Sequence, residues 1–68
     1  MNWRPDDLRD MREIVTRKGD RRRIRHYMSI PGVASGWSIG RDYTGMDAFT
    51  ACRLLNDWEA EPDVQQPA

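Results

Sequence analysis

Two rhythms of apolar and polar positions run along the chain. Leu8, Met11, Ile14 and Val15 recur at the three-and-four spacing of a single helix face. The flanking residues agree with a helix. Pro5 suits a first helical position, Asp6 and Asp7 favour the positive end of a helix dipole, and Arg17 and Lys18 favour its negative end. Glu13 and Arg17 are spaced as an i, i+4 pair, and Gly19 is placed to cap the end. The pattern predicts a helix over 5–18. The same residues also allow a hairpin, with "REIVTR" and "RRRIRHYM" as strands about Lys18-Gly19-Asp20, because Ile-Val-Thr favours extended backbone.

From Arg22 the period becomes two. Ile24, His26, Met28 and Ile30 fall on one side, and Arg23, Arg25, Tyr27 and Ser29 on the other. A strand over 22–30 follows, ended by Pro31-Gly32. Trp37 and Ile39 mark a second short strand over 37–41. Thr44 opens a final helix over 45–59, where Thr44-Gly45-Met46-Asp47 resembles a capping box with Asp in place of Glu. Ala48, Ala51, Cys52, Leu55 and Trp58 form its apolar stripe. "EPDVQQPA" has two prolines and no apolar pattern, so residues 60–68 read as a disordered tail behind one compact domain, 1–59.

The expected fold is therefore α+β: helix-strand-strand-helix, with both helices on one face of a small antiparallel sheet and the other face open. Under the hairpin reading it becomes a three-stranded antiparallel sheet with one C-terminal helix. The open face remains in either case.

Composition adds limits. A chain of 68 residues makes one domain with a small core. Cys52 is the only cysteine and His26 the only histidine, which rules out an internal disulfide and argues against a structural zinc site. A single cysteine fits a reducing compartment. Asp6 and Asp7 stand where a signal peptide would be apolar, and no stretch approaches the ~20 apolar residues of a membrane helix. A cytoplasmic protein with no membrane partner is expected. Net charge is zero but unevenly spread: residues 1–28 carry nine Lys/Arg against five Asp/Glu, and residues 29–68 carry two against six. That split fits a basic binding face, a head-to-tail homodimer, or both.

Candidate chemistry is thin. His26 shares a face with Ile24 and Met28 and reads as a packed histidine rather than a base. Cys52 lies on the apolar stripe and reads as a core residue rather than a nucleophile. "GVASGWSIG" lacks the Gly-Lys-Ser/Thr ending of a phosphate loop. No enzyme activity and no cofactor are expected.

The basic stretch is more informative. Arg17, Lys18, Arg21 and Arg22 gather near the turn, and Arg23, Arg25 and Tyr27 alternate on the outward strand face. Clustered cations with an interleaved aromatic suit nucleic acid, and arginine's planar fork suits phosphate, guanine or carboxylate. These seven residues are the candidate site, with nucleic acid or an acidic protein surface as the partner. "GMDAFTACRLLNDWEAE", about a quarter of the chain, resembles the closing helix of the small sheet-plus-helix DNA-binding modules at the start of phage integrases. The resemblance implies a DNA-binding function and carries over no residue roles. The small size is similar to that of phage or mobile-element inhibitors that bind a host protein, which supplies the alternative function.

Overall fold

A computed structural model describes residues 2–27 and 36–63 of the chain. Its elements are a 3-10 turn at Pro5–Asp7, β1 (Glu13–Val15), β2 (Arg21–Tyr27), β3 (Gly36–Ile39), β4 (Tyr43–Met46), α1 (Ala48–Asp57) and β5 (Glu61–Pro62). The strands form one antiparallel sheet in the order β4-β3-β2-β1-β5. The first four make a meander, α1 packs on β3, β4 and the 3-10 turn, and β5 returns to the far edge beside β1. The fold is α+β, with five strands and one helix among the described residues.

The predicted helix over 5–18 is not formed. Only Pro5–Asp7 turns, and the chain then runs extended into β1. The supposed stripe is split: Leu8 and Ile14 are buried, Val15 is half-buried, and Met11 is 50% exposed. Ile14 instead faces inward between Glu13 and Val15, the alternation of a strand. Gly19 does adopt a left-handed backbone, φ +93°, but it closes a hairpin rather than a helix. Gly19 N donates to Thr16 O at 2.8 Å, and Thr16 N donates to Asp20 O at 2.8 Å. This is a tight turn followed by a left-handed glycine, a common short hairpin connection. Over residues 12–27 the chain follows the hairpin alternative, although the sheet contains more strands than that alternative supplies.

β1 and β2 are joined irregularly beyond Glu13. Met11 N donates to Ile24 O, and Ile24 N donates to Arg12 O, both at 2.8 Å. Two residues thus oppose one, which is a β-bulge, and Met11 takes the left-handed backbone at φ +70°. The bulge brings Asp10 level with His26, whose N donates to Asp10 Oδ1 at 2.9 Å.

The second half differs at its joints. β3 covers 36–39 rather than 37–41, and the chain then reverses at Gly40–Asp42 into β4, a strand the sequence pattern did not announce. Trp37 pairs with Met46 and Ile39 with Tyr43, with an irregularity between. The helix begins later than expected because Asp47, not Thr44, is its N-cap: Asp47 Oδ1 accepts from Thr50 N at 2.7 Å. It ends in a Schellman arrangement. Glu59, at φ +50°, donates its N–H to Asn56 O, and Ala60 donates to Leu55 O.

Residues 60–63, expected to begin a disordered tail, belong to the domain. Ala60 is fully buried, Glu61–Pro62 pair with β1, and Asp63 N donates to Glu13 O. Residues 64–68, the expected strand end Met28–Ile30 and the Pro31-Gly32 stop lie outside the described residues.

The core lies between the sheet and α1. Ile14, Ile24 and Ile39 supply it from three adjacent strands, Ala51, Cys52 and Leu55 from the helix, and Trp3, Leu8 and Ala60 close its end. Trp3 is held by hydrogen bonds as well as packing: its Nε1 donates to Ala60 O at 2.8 Å, and its N donates to Asn56 Oδ1 at 2.6 Å. Arg12 lies over its ring at 5.3 Å.

Candidate functional site

β2 carries five of the candidate residues, and its alternation sorts them. Ile24 is buried and pairs with Ile39 across the sheet; His26 and Arg22 point the same way and are half-buried. Arg21, Arg23, Arg25 and Tyr27 point outward and are exposed, on the face that α1 does not cover. The expected row Arg23, Arg25, Tyr27 is therefore present on a helix-free face, and Arg21 joins it. Arg22 does not.

The outward arginines are not bare cations. Arg23 Nη2 meets Glu13 Oε1 at 2.6 Å, Arg25 Nε meets Asp10 Oδ1 at 3.3 Å, and Arg21 Nη1 lies 3.4 Å from Asp63 Oδ2. Glu13 stands directly across the ladder from Arg23, so this pairing follows from register. Asp10 reaches Arg25 only because of the Met11 bulge. The N–H of His26, helped by the Arg25 side chain, holds the Asp10 carboxyl below its ordinary range. In the turn, Arg17 pairs with Glu59, which raises the guanidinium's already high pKa. Lys18 is exposed and has no ion-pair partner among the described residues. The face is thus a row of arginines each backed by a carboxylate, of which Asp10 is half-exposed while Glu13 and Asp63 are largely covered, at 18% and 3% exposure. Two pairs, Arg17–Glu59 at the turn and Arg21–Asp63 on the face, join the basic first part of the chain to the acidic second part, so part of the charge split is satisfied within one molecule.

Tyr27 does not stand free of the sheet. It sits opposite Gly36, and a Cβ on Gly36 would come 2.7 Å from Tyr27 Oη. The ring lies across the glycine, with Gly45 next in reach. It remains 39% exposed and forms an aromatic platform at the end of the arginine row. Phe49, 76% exposed, is carried by α1 instead.

Arg22 opens a second locus that sequence reasoning missed. Its guanidinium lies 5.4 Å from the Tyr43 ring centroid and 5.3 Å from that of Trp58, and those two rings meet edge to face at 4.9 Å. A cleft of about 700 Å³ lies over this cluster, between the hairpin turn and the C-terminal end of α1. Arg17 N donates to Trp58 O at 3.1 Å and ties the two walls together. Arg22 shares parity with Ile24, which was the available cue. The cluster depends on Tyr43 and Trp58 converging from β4 and the helix end.

The remaining chemical groups serve packing. His26 lies on Trp37 with ring centroids 4.4 Å apart. Cys52 is buried, and burial pushes its thiol pKa up, away from the nucleophilic form. Among the described residues no group of His, Cys, Asp and Glu is arranged to hold a metal ion, and no helix is long and apolar enough to cross a membrane.

In comparisons with known proteins, the chain matches no protein-family model, no curated protein and no solved structure.

Proposed function

We propose that the chain is a non-enzymatic binding protein that docks on a second protein through the helix-free sheet face. The observation that carries this reading is the interleaving of Arg21, Arg23 and Arg25 with Asp63, Glu13 and Asp10. A nucleic-acid backbone presents one sign of charge and rewards unpaired cations. A protein surface presents both signs, and electrostatic complementarity there fixes register and partner choice. Tyr27 adds an aromatic of the kind enriched in protein interfaces. His26 and Cys52 sit in packing roles that leave the non-enzymatic reading intact.

One observation favours nucleic acid as a second reading: the Tyr27 ring packs against Gly36 and stays 39% exposed two residues from Arg25, a placement suited to stacking a base. Titration of the wild type with single- and double-stranded oligonucleotides at low salt separates the two. The protein reading expects no binding by the wild type. It also expects weak polyanion binding to appear when Asp10→Asn and Glu13→Gln free the arginines. Wild-type binding whose logarithm falls with log salt by about 0.7–0.9 per phosphate contact replaces it with the second reading. A capture experiment supplies the positive arm. A protein retained by the wild type from cell lysate should survive nuclease and be lost with the Arg23→Ala/Arg25→Ala double variant.

A further inference from the structure

The cleft above Arg22 has a different character from the outer face. On β2, Arg21 and Arg23 each meet a carboxylate, whereas the Arg22 guanidinium, between them, has none among the described residues and donates no hydrogen bond to a protein acceptor there. Its guanidinium carbon is close to two rings instead, at 5.4 and 5.3 Å. The side chain also reaches across the β3–β4 turn, where a Cβ on Gly40 would come 2.8 Å from Arg22 Nη1. Ring contacts and the glycine gap hold the side chain in place but satisfy none of its five N–H donors. A half-buried guanidinium fixed in this way is preorganised for an anion.

The rest of the cleft narrows the ligand. Lys18 borders it and also lacks a carboxylate partner among the described residues, while Arg17 is committed to Glu59. Asp20 and Asp57 line the same cleft and oppose a dianion. Arg22 and Lys18 are formally offset by Asp20 and Asp57, so the cleft is near neutral and binding there rests on the unfilled Arg22 donors, which suit a single carboxylate better than a dianion. Trp58, Tyr43 and Arg22 are the residue types that dominate protein-interface hot spots. The cleft volume of about 700 Å³ suits a short piece of chain.

We propose that this cleft binds one carboxylate of a partner polypeptide, with its oxygens on Arg22 and Lys18 and the adjoining chain against Trp58. The proposal rests on the reading that the partner is a protein, but it uses a surface distinct from the outer face.

The test is NMR titration of the full chain, read at the Trp58 indole N–H and the Arg22 side-chain N–H. The probes are N-acetyl-Gly-Asp-amide, N-acetyl-Gly-Gly with a free C-terminal carboxylate, N-acetyl-Gly-Asn-amide and inorganic phosphate. Saturable shifts are expected from one or both carboxylate peptides, with Kd on the order of 1 mM. The tighter of the two identifies side chain or chain terminus as the source. The Asn peptide should bind about tenfold more weakly or not at all, in line with loss of a charge-assisted contact. Arg22→Gln should abolish the shifts. Because it also removes ring contacts, Lys18→Gln in the exposed turn is the companion variant, expected to bind several-fold more weakly with unchanged melting. Equal response to the Asn peptide, tighter binding of phosphate than of either carboxylate peptide, no saturable shift, or wild-type affinity in both variants overturns the proposal. The Arg23→Ala/Arg25→Ala variant should titrate like the wild type. Failure here while that variant still loses the captured protein removes the cleft proposal alone.

Discussion

Asn56 grips the backbone of Trp3 from both sides. Its Oδ1 accepts from Trp3 N at 2.6 Å, and its Nδ2 donates to Trp3 O at 3.3 Å. A helical side chain thereby stands in for a β-partner and seats the N-terminal segment on the core. Asn56→Ala leaves both part-buried backbone groups without that partner and should destabilise the fold by about 1–3 kcal/mol. Trp3→Phe keeps most of the ring but orphans Ala60 O, a loss of similar size. Urea unfolding of both variants checks this, and midpoints equal to the wild type would show that the clamp is incidental.

Met11 holds a left-handed backbone at φ +70° in the β1–β2 bulge. A non-glycine residue there costs about 1–2 kcal/mol, while glycine adds unfolded-state entropy worth about 0.4–1 kcal/mol. With the side chain half exposed, the first effect wins. Met11→Gly should stabilise the protein by about 0.5–1 kcal/mol. A lower melting temperature would instead mean that the Met11 side chain contributes packing that outweighs the strain.

The pH dependence has a definite sign. Asp10 is held below its ordinary pKa by the His26 N–H and Arg25, and Asp47 by the Thr50 N–H at the helix N-cap. A carboxyl with a depressed folded-state pKa contributes stability above its unfolded value, near about 3.9, and loses it as pH falls through the lower folded value. The stability that these two carboxyls supply should therefore be constant down to about pH 5 and decline below about pH 4. Asp47→Asn keeps an oxygen that can cap the helix and should shrink the acid-side decline. An unchanged slope in this variant would assign the acid sensitivity elsewhere.

The legible part of the sequence was the part governed by period. Ile24 inward with Arg23, Arg25 and Tyr27 outward follows from alternation alone, and so does the apolar stripe of α1. Cues that serve two structures misled. A left-handed glycine ends a helix and closes a hairpin equally well, so Gly19 could not decide between them. Tyr43–Met46 contains a glycine and only four residues, too few for a periodic pattern. The pairs Arg25–Asp10 and Arg21–Asp63 depend on a bulge and on a returning edge strand, neither of which has a local signature. They are also what turned an apparently basic stretch into a face of both signs.

The two faces of β2 should respond to mutation in opposite ways. Ile24 is fully buried against Ile39, between β1 and β3, so Ile24→Ala removes core volume that α1 and the sheet cannot close over. A loss of about 2–5 kcal/mol is expected. Arg23 and Arg25 are one residue away on either side, yet their side chains are 48% and 55% exposed; Asp10 is exposed to a similar degree, whereas Glu13 is 18% exposed, so the Arg23–Glu13 pair should be the stronger of the two. Exposed ion pairs contribute about 0–1 kcal/mol, so Arg23→Ala and Arg25→Ala should each cost less than that, and added salt should erase much of the difference. A double-mutant cycle on Arg23 and Glu13 isolates the pair term, expected at about 0.2–1 kcal/mol. A coupling well above that range would make the arginine–carboxylate row a structural element of the fold. A small coupling leaves the outward arginines free to exchange their own carboxylates for those of a partner.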